Sequence, residues 1–113
     1  MRRSMLAVVG ALLLAATAEA QITVPIHNHI ATVGPLSGAT DLRPAGARSL
    51  LGAVNDSAGV VYCTVDDTTA TANTGIRLDA AGGSFLFDAK VPRGALRCYS
   101  AAGGSRLLIM EGR

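Results

Sequence analysis

From Arg48 onward, short runs of β-branched, Leu or aromatic residues alternate with Gly, Asp and Ala breaks at intervals of about ten residues. The runs predict strands at Arg48–Asn55, Val60–Asp66, Gly75–Asp79, Ser84–Asp88, Ala95–Ser100 and Ser105–Glu111. No window carries an amphipathic stripe longer than two helical turns, so no stable helix is expected after the leader. The predicted class is all-β, a small antiparallel β-sandwich of about six to seven strands over residues 48–113.

The turns sharpen this expectation. Ala80-Ala81-Gly82-Gly83-Ser84 recurs as Ala101-Ala102-Gly103-Gly104-Ser105. Glycine tolerates the positive φ that such turns need. Read as a hairpin loop, the first segment sets Asp79 opposite Ser84, Leu78 opposite Phe85 and Ile76 opposite Phe87. The second sets Ser100 opposite Ser105, Cys98 opposite Leu107 and Leu96 opposite Ile109. A third loop at Asp56-Ser57-Ala58-Gly59 sets Val54 opposite Val61, Gly52 opposite Cys63 and Leu50 opposite Val65. Side chains alternate between faces with period two, so each pairing gathers apolar partners on one face and turns both cysteines inward. The same register points Tyr62, Tyr99, Leu51, Leu86, Leu108 and Met110 outward. If exposed, those four apolar side chains would form a patch suited to a partner or to self-association.

Residues 21–47 lack a sustained period. Pro25, Gly34-Pro35, Gly38 and Pro44-Ala45-Gly46 interrupt them, which predicts an extended arm holding at most one short strand, at Gln21–Val24. Residues 1–20 read as a signal peptide. Arg2 and Arg3 supply the positive start, Met5–Ala16 the apolar stretch and Ala18-Glu19-Ala20 a small-x-small site, so cleavage is expected after Ala20. The uncharged stretch from Ser4 to Ala18 falls short of the roughly 20 apolar residues that a spanning helix requires. The mature form is therefore expected to be extracytoplasmic, either periplasmic or secreted, with no membrane span.

Composition then narrows the partners. The leader takes two of the ten basic residues and one of the eight acidic ones, leaving eight and seven. Nucleic-acid binding needs a clustered basic surface, and here the Arg residues are scattered and Lys90 is the only lysine. No nucleic-acid partner is expected. Cys63 and Cys98 are the only cysteines, and in an exported chain such a pair forms one disulfide. The bridge closes a loop of about 36 residues, for which the chain-entropy relation gives roughly 3–4 kcal/mol.

Candidate chemistry is sparse. His27 and His29 stand at i and i+2, on one face if the segment is extended, and with a carboxylate such as Asp41 they are candidate zinc or copper ligands. The competing view, an exposed polar arm, is favoured because no third ligand has a telling spacing. Asp66 and Asp67 open a loop with Thr68 and Thr69 that offers oxygens to calcium. The spacing of a calcium loop is missing, and a solvated turn is the plainer account. Gly-x-Ser-x-Gly is absent, and the paired glycines read as turns rather than phosphate cradles. Neither a catalytic residue nor a cofactor is expected.

Six stretches carry a resemblance: Arg48-Ser49-Leu50-Leu51, Asn55-Asp56-Ser57, Val61-Tyr62-Cys63-Thr64-Val65, Gly75-Ile76-Arg77-Leu78 before Gly82-Gly83-Ser84-Phe85, and Val91-Pro92-Arg93-Gly94-Ala95-Leu96. With the last strand ending in Glu111-Gly112, residues 48–113 resemble small accessory, virion-associated β-sandwich proteins of tailed bacteriophages. The resemblance implies a non-enzymatic structural module that attaches to a virion or to its own kind. The expected function is thus an exported, non-enzymatic structural or interaction module, phage-derived or virion-associated, that binds a protein or a cell or virion surface. The alternative is an extracytoplasmic small-ligand or metal-binding module built on the His27/His29 arm or the Asp66–Asn73 loop.

Overall fold

The computed structural model describes residues 25–113. The signal peptide, its cleavage after Ala20 and the strand expected at Gln21–Val24 lie outside the described residues. The described chain is all-β. Its strands are β1 (Ile26–Val33), β2 (Leu50–Asn55), β3 (Val61–Thr64), β4 (Ile76–Leu78), β5 (Ser84–Phe87), β6 (Arg97–Tyr99) and β7 (Ser105–Gly112), with one short 3-10 turn at Ser37–Ala39. They form a four-stranded sheet in the order β1-β7-β2-β5 and a three-stranded sheet in the order β4-β3-β6. Every ladder is antiparallel.

All six strands expected after Arg48 are present, but the three expected hairpins are not. β2 and β3 lie in different sheets, as do β4 and β5, and β6 and β7. Each four-residue turn carries the chain from one sheet to the other. Gly82 (φ 118°) and Gly104 (φ 75°) supply the left-handed backbone that these turns use. An inward residue before such a turn meets its counterpart across the sandwich, not beside it in a ladder. The ladder partners are therefore others: Cys63 pairs with Cys98 and Ile76, not Gly52, and Leu107 pairs with Ala31 and Asn55, not Cys98.

The inward faces of β3 to β7 nevertheless follow the expected parity. Val61, Cys63, Leu78, Leu96, Cys98, Leu107 and Ile109 are buried in one core, with Ile76 and Phe85 packed against it. β2 is shifted by one residue. Leu51 and Ala53 point inward and are buried, while Leu50 and Val54 are only half-buried. Asn55 explains the shift. It is fully buried, and its Nδ2 donates to the carbonyls of Gly59 at 2.7 Å, Leu78 at 3.1 Å and Asp79 at 3.1 Å. Its Oδ1 accepts from the Ser57 hydroxyl at 2.6 Å. A buried amide needs such partners. Meeting them fixes the odd residues of β2 inside.

Within the segment expected as an extended arm, residues 26–33 are a paired strand. β1 runs along β7 from Ile26↔Gly112 to Val33↔Ser105, and Val33 is fully buried. The chain then crosses to the other sheet. The Leu42 amide donates to Leu96 O at 2.8 Å, and the Ala70 amide donates to Gly38 O at 2.8 Å. The disulfide joins Cys63 and Cys98, opposed residues of neighbouring strands β3 and β6, with Cα atoms 4.1 Å apart. It staples the smaller sheet from within.

Candidate functional site

Three groups of residues offered chemistry in the sequence, and the structure keeps them apart. His27 and His29 lie on β1 and share the face that Ala31 and Val33 turn to the core. His27 is exposed. His29 is partly buried, and its Nε2 is enclosed without a hydrogen-bond partner. Asp41 accepts from Arg97 Nε at 2.7 Å and so serves β6. Among the described residues, no three His, Cys, Asp or Glu side chains converge as metal ligands.

The acids of the 66–73 loop brace the loop itself. Asp66 Oδ1 accepts the Thr68 amide at 3.2 Å, and hydrogen bonding to Thr68 holds its carboxyl below the ordinary value. Asp67 takes a left-handed backbone (φ 68°), and its Oδ1 accepts the Ala95 amide at 2.8 Å. Its carbonyl accepts from Arg97. Tyr62 and Tyr99 are cross-strand partners on the outer face of the smaller sheet, and the Tyr62 hydroxyl donates to Asn73 Oδ1 at 3.1 Å.

One charged cluster was not legible as such. Glu111 sits on the inward face of β7, and three guanidinium groups converge on it. Arg43 donates to Oε1 at 3.0 and 3.1 Å, Arg48 to Oε2 at 3.0 Å, and Arg113 to Oε1 at 3.0 Å. Arg48 also donates to the carbonyls of Pro44, Pro92 and Gly94, each at 2.8 Å. Burial alone would raise the Glu111 pKa, but the hydrogen bonds and charges of Arg113 and Arg43 outweigh it and hold it at about 2. The cluster ties the 43–48 loop, the 92–94 loop and β7 together. The missing sequence signal was spacing: the three arginines lie scattered along the chain.

The outer face of the four-stranded sheet is the remaining feature. Two cross-sheet rows define it. Asn28, Met110, Gly52 and Leu86 are successive ladder partners, as are Ile30, Leu108, Val54 and Ser84. Gly52 has no side chain, and Leu86 and Met110 lean over it: a Cβ there would stand 3.0 Å from Leu86 Cδ1 and 3.6 Å from Met110 Cε. Ile30 is 72% exposed, Leu86 56%, Ile26 50% and Met110 41%. Asn28, Ile30, Val54, Leu108 and Met110 border an open groove of ≈ 360 Å³. The next row carries Thr32 and Arg106, and Arg106 pairs with Asp56 to form a polar rim. Of the four outward residues expected in this patch, Leu86, Leu108 and Met110 are there; Leu51 is in the core because of the Asn55 register.

Comparison with known proteins gives no kinship to set beside this geometry: no family model, no curated protein and no solved structure matches the chain. No helix among the described residues is long and apolar enough to cross a membrane.

Proposed function

We propose that the protein is an exported, non-enzymatic interaction module that docks a protein partner, on a cell or virion surface, through the outer face of its four-stranded sheet. The observation that carries this reading is the aliphatic surface of Ile26, Ile30, Leu86 and Met110, which runs across one sheet face from β1 to β5 beside an ionic rim. Large exposed apolar side chains gathered on one face mark contact surfaces, whereas single scattered ones do not. The face carries aliphatic and amide groups over a shallow groove, which suits an apolar strand or loop of another protein better than a small polar ligand. The buried Cys63–Cys98 disulfide supports the extracytoplasmic assignment, because such bridges persist in oxidising compartments.

Site-specific photocrosslinking tests this. A benzoylphenylalanine at Leu86 or Met110 should give one discrete adduct with a second protein in cells that make the chain, and the same group at Ala102, on an exposed turn, should give none. Adducts of equal yield from all three positions, or none at 86 and 110, would remove the docking role.

A further inference from the structure

Among the described residues, β1 is an edge strand with no strand on its outer side, and its hydrogen-bonding side can be assigned. The Asp56 amide donates to Arg106 O at 3.0 Å in the register that pairs Val54 with Leu108 and Gly52 with Met110. Even residues of β7 therefore bond to β2, and its odd residues turn their amides and carbonyls to β1. On β1, the odd residues His27, His29, Ala31 and Val33 face β7. Ile26, Asn28, Ile30 and Thr32 consequently direct their N–H and C=O groups to the free edge. No backbone bond from another described segment reaches them.

Edge strands are usually blunted by a charge, a proline or a bulge. The eight residues of β1, IHNHIATV, contain no Lys, Arg, Asp, Glu or Pro. Two such strands can approach without charge repulsion. A second copy related by a twofold axis through Asn28 places Ile26 opposite the partner's Ile30 and Asn28 opposite the partner's Asn28. Apolar then meets apolar and amide meets amide. An axis through His29 would instead set Asn28 against the partner's Ile30, and one through Ile30 would leave the histidines unopposed.

The Asn28 register has a second result. His27 stands opposite the partner's His29, and His29 opposite the partner's His27, on the face away from the apolar patch. These odd positions are the non-hydrogen-bonded pairs, whose Cα atoms lie about 4.5 Å apart. Four imidazoles then converge at the seam. Tetrahedral nitrogen ligation suits Zn²⁺, with nitrogens roughly 2.0–2.1 Å from the ion. One copy offers only two imidazoles, too few for a site. His29 Nε2 is enclosed and without a partner in the single chain, an uncompensated polar atom that is relieved if the half-buried imidazole turns to the seam and ligates a metal there. We propose that two copies join antiparallel through β1 and that His27 and His29 of both complete a transition-metal site, with Zn²⁺ the best fit. The guanidinium groups around Glu111, the ladder partner of His27, oppose a dication, so both copies' histidines are needed to hold it.

Sedimentation velocity of the untagged protein with ZnCl₂ or with EDTA tests this, together with the zinc content of each species. The expected result is a dimer holding one zinc per two chains, reverting to monomer in EDTA. His27→Ala and His29→Ala should each weaken dimerisation at least tenfold. Asn28→Pro removes an N–H that points to the free edge, so it leaves the β1–β7 ladder intact and should abolish the dimer while the monomer stays folded. Zinc bound by a monomer would overturn the proposal, as would no dimer with zinc, or a dimer indifferent to EDTA and to both alanine variants. The Leu86 and Met110 crosslinks report the opposite face, so the two proposals fail separately.

Discussion

Arg48 donates from Nε to Glu111 Oε2 at 3.0 Å, and its side chain has no exposed surface. Sixty-three positions separate the two residues. With three carbonyls also accepting from it, Arg48 is the internal brace of two loops. Removing Arg48 leaves Glu111 to Arg43 and Arg113 but strips three carbonyls of a donor, and an unpartnered buried polar group costs about 1–3 kcal/mol. Arg48→Met should lose stability on that scale in urea unfolding. Arg113→Ala, at a partly exposed end of the same cluster, should lose less than about 1 kcal/mol. Equal losses in the two variants would show that the brace is not centred on Arg48.

Glu111 makes the fold acid-sensitive in a defined window. Its pKa is 4.5 in an ordinary setting and about 2 in the folded chain. A depressed carboxylate contributes stability that is complete above pH 4.5 and is lost as pH falls through about 2. The contribution is roughly 3 kcal/mol, at 1.36 kcal/mol for each pH unit of depression. Glu111→Gln should be less stable than the parent at neutral pH, and the difference should shrink as the pH is lowered from 4.5 toward 2. Parallel stability profiles across that window would refute the assignment.

The Cys63–Cys98 bridge should hold the fold by limiting the unfolded chain. Replacing both cysteines with alanine should cost roughly 3–4 kcal/mol, the loop-closure value, with minor packing losses. Replacing both with serine should cost more, because two hydroxyls then lie in an apolar site at about 1–3 kcal/mol each if unpartnered. The measurement is the urea midpoint of the two double variants. A serine variant as stable as the alanine variant would mean that the site is wetter than the full burial of both cysteines implies.

Asn55 should be the costliest uncharged polar side chain to remove. Asn55→Ala leaves the carbonyls of Gly59, Leu78 and Asp79 without the amide that serves them. A loss of about 2–3 kcal/mol is expected in thermal or urea unfolding. Ser57→Ala, which removes one hydroxyl bond to the same residue, should lose less.

The outer face predicts a solubility effect. Leu86→Lys with Met110→Glu should leave the unfolding midpoint almost unchanged, because both side chains are exposed. The same pair should reduce binding of an apolar dye and abolish a crosslink from a benzoylphenylalanine placed at Ile30, on the same face. A fall in stability of more than about 1 kcal/mol would instead place these side chains in the core.

Class, strand positions and most inward faces were legible because each depends on local alternation. Leu78, Phe85, Cys98 and Leu107 turned inward as the period of two required. Strand pairing was not legible. A four-residue turn with a left-handed glycine serves a hairpin and a sheet-to-sheet crossing equally well, and local sequence holds no term that separates them. β2 failed for a different reason. Leu50-Leu51-Gly52-Ala53-Val54 offers apolar residues to both faces, and the tie was broken by Asn55, whose partners Leu78 and Asp79 arrive more than twenty residues later. Of the candidate site, the outward Leu86, Leu108 and Met110 were read correctly. Ile26 and Ile30 were hidden because prolines and glycines on either side of β1 obscured its regular core.

The strand order also dictates when the molecule can become itself. β7, the last of the described strands to be made, lies between β1 and β2 in the larger sheet. β1, the first of the described strands to be made, bonds to no other strand. Until β7 is made, β1 and one side of β2 lack their ladder partner and that sheet cannot close, although β2 can already pair with β5 and β3 with β4 and β6. Non-local pairing of this kind slows folding and prolongs the aggregation-prone interval. A nascent chain whose larger sheet is still open is also one that a secretory pore can still thread.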